Sequence, residues 1–118
     1  MTRYYMDLIC WQKAMDLVTE IYRLTKQLPK EEVFGLASQL RRAAVSIPSN
    51  IAEGQGRLSK GEFRIFLGNA RGSLSELETQ MLICKNLDYI AEQEAAKLLE
   101  MASEVGRILN GLIASMKK

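Results

Sequence analysis

The chain has 118 residues, of which 47% are hydrophobic and 25% charged, with a formal net charge of +2. That length supports one domain, residues 1–118, with a core of its own, and the composition excludes a disordered chain. Histidine is absent and the only cysteines are Cys10 and Cys84, so the commonest general base is missing, and neither a zinc site nor a disulfide framework can be assembled. Both thiols are expected to be small buried hydrophobes in a reducing compartment. No run approaches the ~20 apolar residues of a membrane span, and no secretory leader is recognisable, so the expected location is cytoplasmic.

The first helix is expected over about residues 7–28, capped by Asp7 and stopped by Pro29. It carries two apolar stripes at helical spacing. One is Leu8, Trp11, Met15, Val18 and Tyr22; the other is Ala14, Leu17, Ile21, Leu24 and Leu28. Together they cover roughly 200° of the wheel, more than one bundle face needs. The surplus points to self-association, with Ala14, Leu17, Ile21 and Leu24 as the expected oligomer interface. On that expectation, Leu17→Glu or Leu24→Glu separates the subunits and leaves helicity intact.

The second helix is expected over about residues 32–53, with a stripe of Val33, Leu36, Leu40, Ala43, Ile47 and Ile51. Pro48 falls inside it and removes one backbone hydrogen bond, which favours a kink. The run from Ile47 to Asn50 also reads as a break between two shorter helices. Gly54-Gln55-Gly56 is expected to end the helix through a left-handed glycine. The third helix is expected over about residues 60–86, with Ser59 and Glu62 spaced as a capping box. Gly68 and Gly72 within it suggest close approach by a neighbouring helix. The fourth is expected over about residues 91–116, followed by Lys117 and Lys118, which complement the helix dipole. Long helices joined by short loops imply an all-α, antiparallel up-and-down four-helix bundle.

Charge is segregated along the chain. Residues 39–72 hold six bases (Arg41, Arg42, Arg57, Lys60, Arg64, Arg71) against two acids, whereas residues 73–104 hold seven acids against two bases. The six bases are the candidate nucleic-acid contacts. A binding mode through phosphates is expected, without base stacking, because no aromatic residue is expected among them on an exposed face. Alternatively, Arg41 or Arg42 pairs with Glu76 or Glu78 across the bundle. The segment Gly54-Gln55-Gly56-Arg57 has the look of half a phosphate loop but follows a helix rather than a strand, so helix termination is the favoured reading. No catalytic constellation, metal site, cofactor or small-molecule substrate is indicated. A protein–protein adaptor with matching acidic and basic halves is the competing reading.

The stretches WQKAMDLVTEIYRLT, GLASQLRRAAVSIPSNIAEGQGR and FRIFLGNARGSLSELETQ resemble the four-helix-bundle protein family. Its members include proteins encoded by intervening sequences in bacterial large-subunit ribosomal RNA genes. The resemblance covers about residues 8–90. It implies an antiparallel bundle assembled into a ring, a pentamer, and no established activity. A distant relative, the accessory protein of diversity-generating retroelements, is a basic pentameric barrel that binds nucleic acid and a reverse transcriptase. The partners implied are further copies of this chain, together with structured RNA or a ribonucleoprotein.

Overall fold

A computed structural model describes residues 4–116; the lysines expected to complement the last helix, Lys117 and Lys118, lie outside the described residues. The main helices are α1 (Ile9–Thr25), α2 (Leu36–Gln55), α3 (Lys60–Asn86) and α4 (Glu92–Ser115), with single 3-10 turns at Tyr5–Asp7 and Lys30–Glu32. Around the bundle, α1 lies between α2 and α4, and α3 also lies between α2 and α4. Cross-helix pairs fix the directions. Ser46 meets Ser73 while Gln39 meets Gln80, so α2 and α3 run antiparallel. Gln27 reaches Glu94 and Lys13 reaches Glu104, which does the same for α1 and α4. The molecule is the expected four-helix bundle, 45 Å long and 24 × 20 Å across.

The core runs the length of the bundle. Its largest fully buried side chains include Leu17, Ile21 and Leu24 from α1, Leu40, Ile47 and Ile51 from α2, Leu67, Leu77 and Met81 from α3, and Leu98, Val105 and Leu109 from α4. Each such side chain contributes about 1.5–3 kcal/mol relative to full exposure. This corrects the assignment of the two α1 stripes. Ala14, Leu17, Ile21 and Leu24 are 0% exposed inside their own bundle and have no surface left to offer another copy. The outer stripe is the other one: Trp11 and Val18 are half-buried, and Met15 and Tyr22 are exposed. Trp11 is held edge-on against Tyr5, with ring centroids 5.3 Å apart.

Several helix ends differ from expectation, each for a local reason. Asp7 is not the cap of α1; it lies in the preceding 3-10 turn, and α1 starts after Leu8 without a side-chain cap. Helix α2 begins at Leu36, not at residue 32, and Val33 is therefore out of phase with the core and exposed. Glu32 sets that start. Its Oε1 accepts the Leu36 backbone N–H at 3.0 Å, and its Oε2 accepts the Tyr89 hydroxyl at 3.0 Å. One carboxylate thus caps α2 and ties the α1–α2 turn to the α3–α4 loop. Gly35 leaves room for it, since a Cβ there would sit 2.6 Å from the same Oε1.

Helix α2 runs unbroken through Pro48, which removes the two-helix alternative. Asn50 Nδ2 donates to the Ser46 carbonyl at 2.8 Å in this turn, a local side-chain bond to the helix backbone. The glycine at the end of α2 is not left-handed: Gly56 has φ −81°. Among the described residues the positive φ belongs to Asp88, at 61°. It closes α3 in a Schellman arrangement, with Tyr89 N–H bonded to the Cys84 carbonyl and Asp88 N–H to the Lys85 carbonyl. Ser59 does cap α3, accepting the Glu62 N–H at 3.1 Å.

The close helix approach occurs at a different glycine from those expected. A Cβ on Gly68 or Gly72 would meet nothing within 4 Å, whereas one on Gly54 would lie 2.5 Å from Phe66 Cβ and 3.0 Å from the Phe63 ring. Gly54→Ala is therefore expected to cost about 1–3 kcal/mol as overpacking. Gly68→Ala and Gly72→Ala should each add up to about 1 kcal/mol through helix propensity, all three read by urea unfolding. The Glu32 bond pushes the Tyr89 hydroxyl above its usual pKa of 10.0, with burial and the Glu32 and Glu31 charges adding to it. A raised pKa means the bond's stability is present below pH ~10 and is lost as pH rises through the raised value. Thermal melts should show wild type above Tyr89→Phe at pH 8, with the gap closing toward pH 11.

Candidate nucleic-acid interface

The six basic candidates do not form one patch. Arg57, Lys60 and Arg64 lie at the end of the bundle where α2 turns into α3, and all three are exposed. Arg41 and Arg42 lie 15 or so positions earlier on α2, about 20 Å away along a helix rising ~1.5 Å per residue. Arg71 stands apart again, on α3, donating to Asn110 Oδ1 on α4 at 2.9 Å.

The Gly54–Arg57 segment does not form a phosphate loop: Gly56 N–H is bonded to the Ala52 carbonyl and Arg57 N–H to the Gly54 carbonyl. The Arg57 guanidinium pairs with Glu53 at 2.8 Å and lies 4.7 Å from the centre of the Phe66 ring. Arg57 is thus held by its own helix and by α3. Lys60 and Arg64 form no ion pair among the described residues.

The other end assembles a cluster that linear order conceals. Arg41 does not reach Glu76 or Glu78. Its Nε donates to Thr25 Oγ1 at 2.9 Å, and its guanidinium lies 4.5 Å from the centre of the Tyr22 ring. The arginine is thereby pinned against the end of α1. There it lines a cleft of about 710 Å³ together with Lys26, Lys30 and Arg42, over an apolar lining that includes Leu28, Pro29, Val33, Phe34 and Ala37. Among the described residues no carboxylate lines this cleft. None of its four cations is ion-paired among the described residues. Lys26 and Lys30 were missed from sequence because they precede the basic segment and join it only when α1 and α2 fold back on each other. Phe34 also changes the expectation on stacking: it is 94% exposed, an aromatic face among cations.

Arg42 also borders a polar cleft between α2 and α3, shared with Gln39, Ser46, Ser73 and Glu76, without an ion pair to Glu76. Behind it Gln80 is buried, and its Oε1 has no hydrogen-bond partner. Chemistry by nucleophile is poorly served. Both cysteines are buried, and burial pushes the Cys10 thiol up to about 11 and raises that of Cys84, where the Glu32 charge adds to the effect. A thiol so placed is almost wholly protonated at neutral pH. Among the described residues no three His, Cys, Asp or Glu side chains converge as metal ligands, and no helix is long and apolar enough to cross a membrane.

The sequence profile of the family described as 23S rRNA-intervening sequence protein matches residues 6–111. The chain is also similar in structure to a protein of unknown function from the S23 ribosomal protein family of Bacteroides thetaiotaomicron. The TM-score is 0.83 at 23% identity, covering 89% of this chain and 98% of the other. At that identity the likeness speaks for the fold. No curated protein matches the chain.

Proposed function

Because this chain belongs to the 23S rRNA-intervening sequence protein family, we propose that it is a non-enzymatic, self-associating bundle that binds structured RNA through phosphate contacts. The observation that carries the reading is the cleft at the α1–α2 end, where Lys26, Lys30, Arg41 and Arg42 converge with no carboxylate among the lining residues. Unpaired cations brought together at one place attract a polyanion, and each phosphate contact releases condensed counterions. The family's link to intervening sequences of ribosomal RNA genes supports RNA as the polyanion, and a ribonucleoprotein containing a reverse transcriptase is a partner of the same chemistry. Lys60 and Arg64 form a second, smaller basic patch.

Self-association is proposed through the outer α1 stripe. Met15, Tyr22 and Val45 are 41%, 38% and 39% exposed. A shallow apolar cleft joins Trp11, Met15 and Val18 to Val45, Pro48 and Ala52 across the α1–α2 seam. The assembly proposed is a ring of five copies. The same seam favours the second reading, a protein–protein adaptor without RNA, in which another protein covers it.

Lys26→Ala with Arg42→Ala should weaken binding to a structured RNA and reduce the salt slope by about two, one per lost phosphate contact. These two residues are chosen because Arg41 also holds Thr25 and Tyr22. Unchanged affinity and slope, measured by fluorescence anisotropy across a salt series, would remove the cleft as the binding site. For the assembly, Met15→Glu with Val45→Glu should lower the mass seen by light scattering while leaving the circular dichroism unchanged. Leu17→Glu should instead unfold the chain, because it places an unpaired charge in the core.

A further inference from the structure

The cationic cleft has one member that phosphate binding does not use. Phe34 stands almost wholly in water, although a phenyl ring of this size is ordinarily a large apolar payload for a core. A floppy loop would account for such exposure, but this turn is firmly built. Glu32 N–H bonds to the Pro29 carbonyl, Val33 N–H to the Lys30 carbonyl and Gly35 N–H to the Glu32 carbonyl, at 2.9, 3.1 and 3.0 Å. Immediately beyond, the Glu32 carboxylate clamps Leu36 N–H and Tyr89. Phe34 is therefore presented on a fixed backbone, bracketed on both sides by hydrogen-bonded residues. A ring with only two side-chain torsions loses little entropy when something stacks on it.

We propose that Phe34 is a stacking platform for an unpaired nucleobase of RNA, with the neighbouring Lys26, Lys30, Arg41 and Arg42 holding the flanking phosphates. The proposal rests on the RNA reading above and narrows it to RNA with a bulged or single-stranded base. Charge complementarity selects this occupant. Every nucleotide brings one anionic phosphate and one flat π-face, and the cleft supplies four unpaired cations and one exposed aromatic face. A fully paired duplex buries its bases in the stack and cannot use Phe34; it meets only the cations. An acidic peptide with an apolar anchor is the competing occupant and is separated from RNA by the experiment. The equally exposed Leu58 beside the second basic patch has no π-face, and nothing in the structure explains its exposure.

The test uses two RNA hairpins of equal length, one fully paired and one with a single bulged purine, titrated against the intact protein by fluorescence anisotropy. Wild type should bind the bulged hairpin roughly tenfold tighter, within the range a stacked base contributes. Phe34→Ala should abolish that preference while leaving duplex affinity, salt slope and melting temperature unchanged; Phe34→Trp should keep it. A photoreactive 5-iodouridine placed in the bulge should crosslink to the Phe34 position. Equal binding of both hairpins by wild type, unaltered in Phe34→Ala, overturns the stacking role and leaves the phosphate reading standing. Binding of neither hairpin at low salt overturns both. A bulge preference that survives Phe34→Ala, together with a fall in oligomer mass, overturns the proposal by assigning the ring to a contact between copies. Binding of a polyglutamate peptide that depends on Phe34, with no hairpin bound, assigns the cleft to an acidic protein partner instead.

Discussion

The burial of Leu17, Ile21 and Leu24 along the bundle axis decides which surfaces this protein has left to use. A helix can turn only one face inward, and α1 carries apolar side chains over far more than one face. Once the Ala14–Leu24 stripe is committed to the core, Met15 and Tyr22 must look outward beside Val45 of α2. The same rotation brings the end of α1 against Arg41, so that Thr25 and Tyr22 can hold its guanidinium. The apolar seam and the cationic cleft are thus two consequences of a single choice of phase. They are neighbours on one side of the molecule, with Tyr22, Arg41, Arg42 and Val45 lining the ground between them.

The fold was legible because the apolar spacing of each helix is long and regular. Helix α3 starts at Lys60 and ends at Asn86 as the Ser59 cap and the apolar stripe require, and α2 keeps Leu40, Ile47 and Ile51 aligned across Pro48. Periodicity alone could not say which of two equally good α1 stripes is inner, because both satisfy the same spacing. Packing decides it: Ala14, Leu17, Ile21 and Leu24 are fully enclosed in the bundle. The start of α2 was hidden for another reason. Glu32 looks like a first-turn residue in sequence, but one oxygen of its carboxylate caps Leu36 while the other accepts the hydroxyl of Tyr89, 57 residues away.

Half of the candidate interface was legible. Arg41 and Arg42 were evident from composition, but a count along the chain also grouped them with Arg57, Arg64 and Arg71, which lie elsewhere or are engaged with Glu53 and Asn110. Lys26, Lys30 and Phe34 carry no sequence signal of their own. They sit in a connecting turn with Glu31 and Glu32 among them, where local charge averages away. Only the fold separates these signs, turning Glu32 toward Leu36 and Tyr89 while both lysines line the cleft.

Pro48 has a consequence for the order in which the protein can be built. Helix α2 makes its most extensive contacts with α3, which is synthesised after it. Before α3 emerges, α2 lacks the partner it contacts most extensively, and a proline inside an unsupported helix costs about 3 kcal/mol. An α2 segment alone on a growing chain is therefore a poor helix. The α2–α3 hairpin, with Gly54 letting its two arms meet at Phe63 and Phe66, supplies the most extensive packing against that helix. Helix α1, although made first, is covered on both sides only when α4, made last, packs against it.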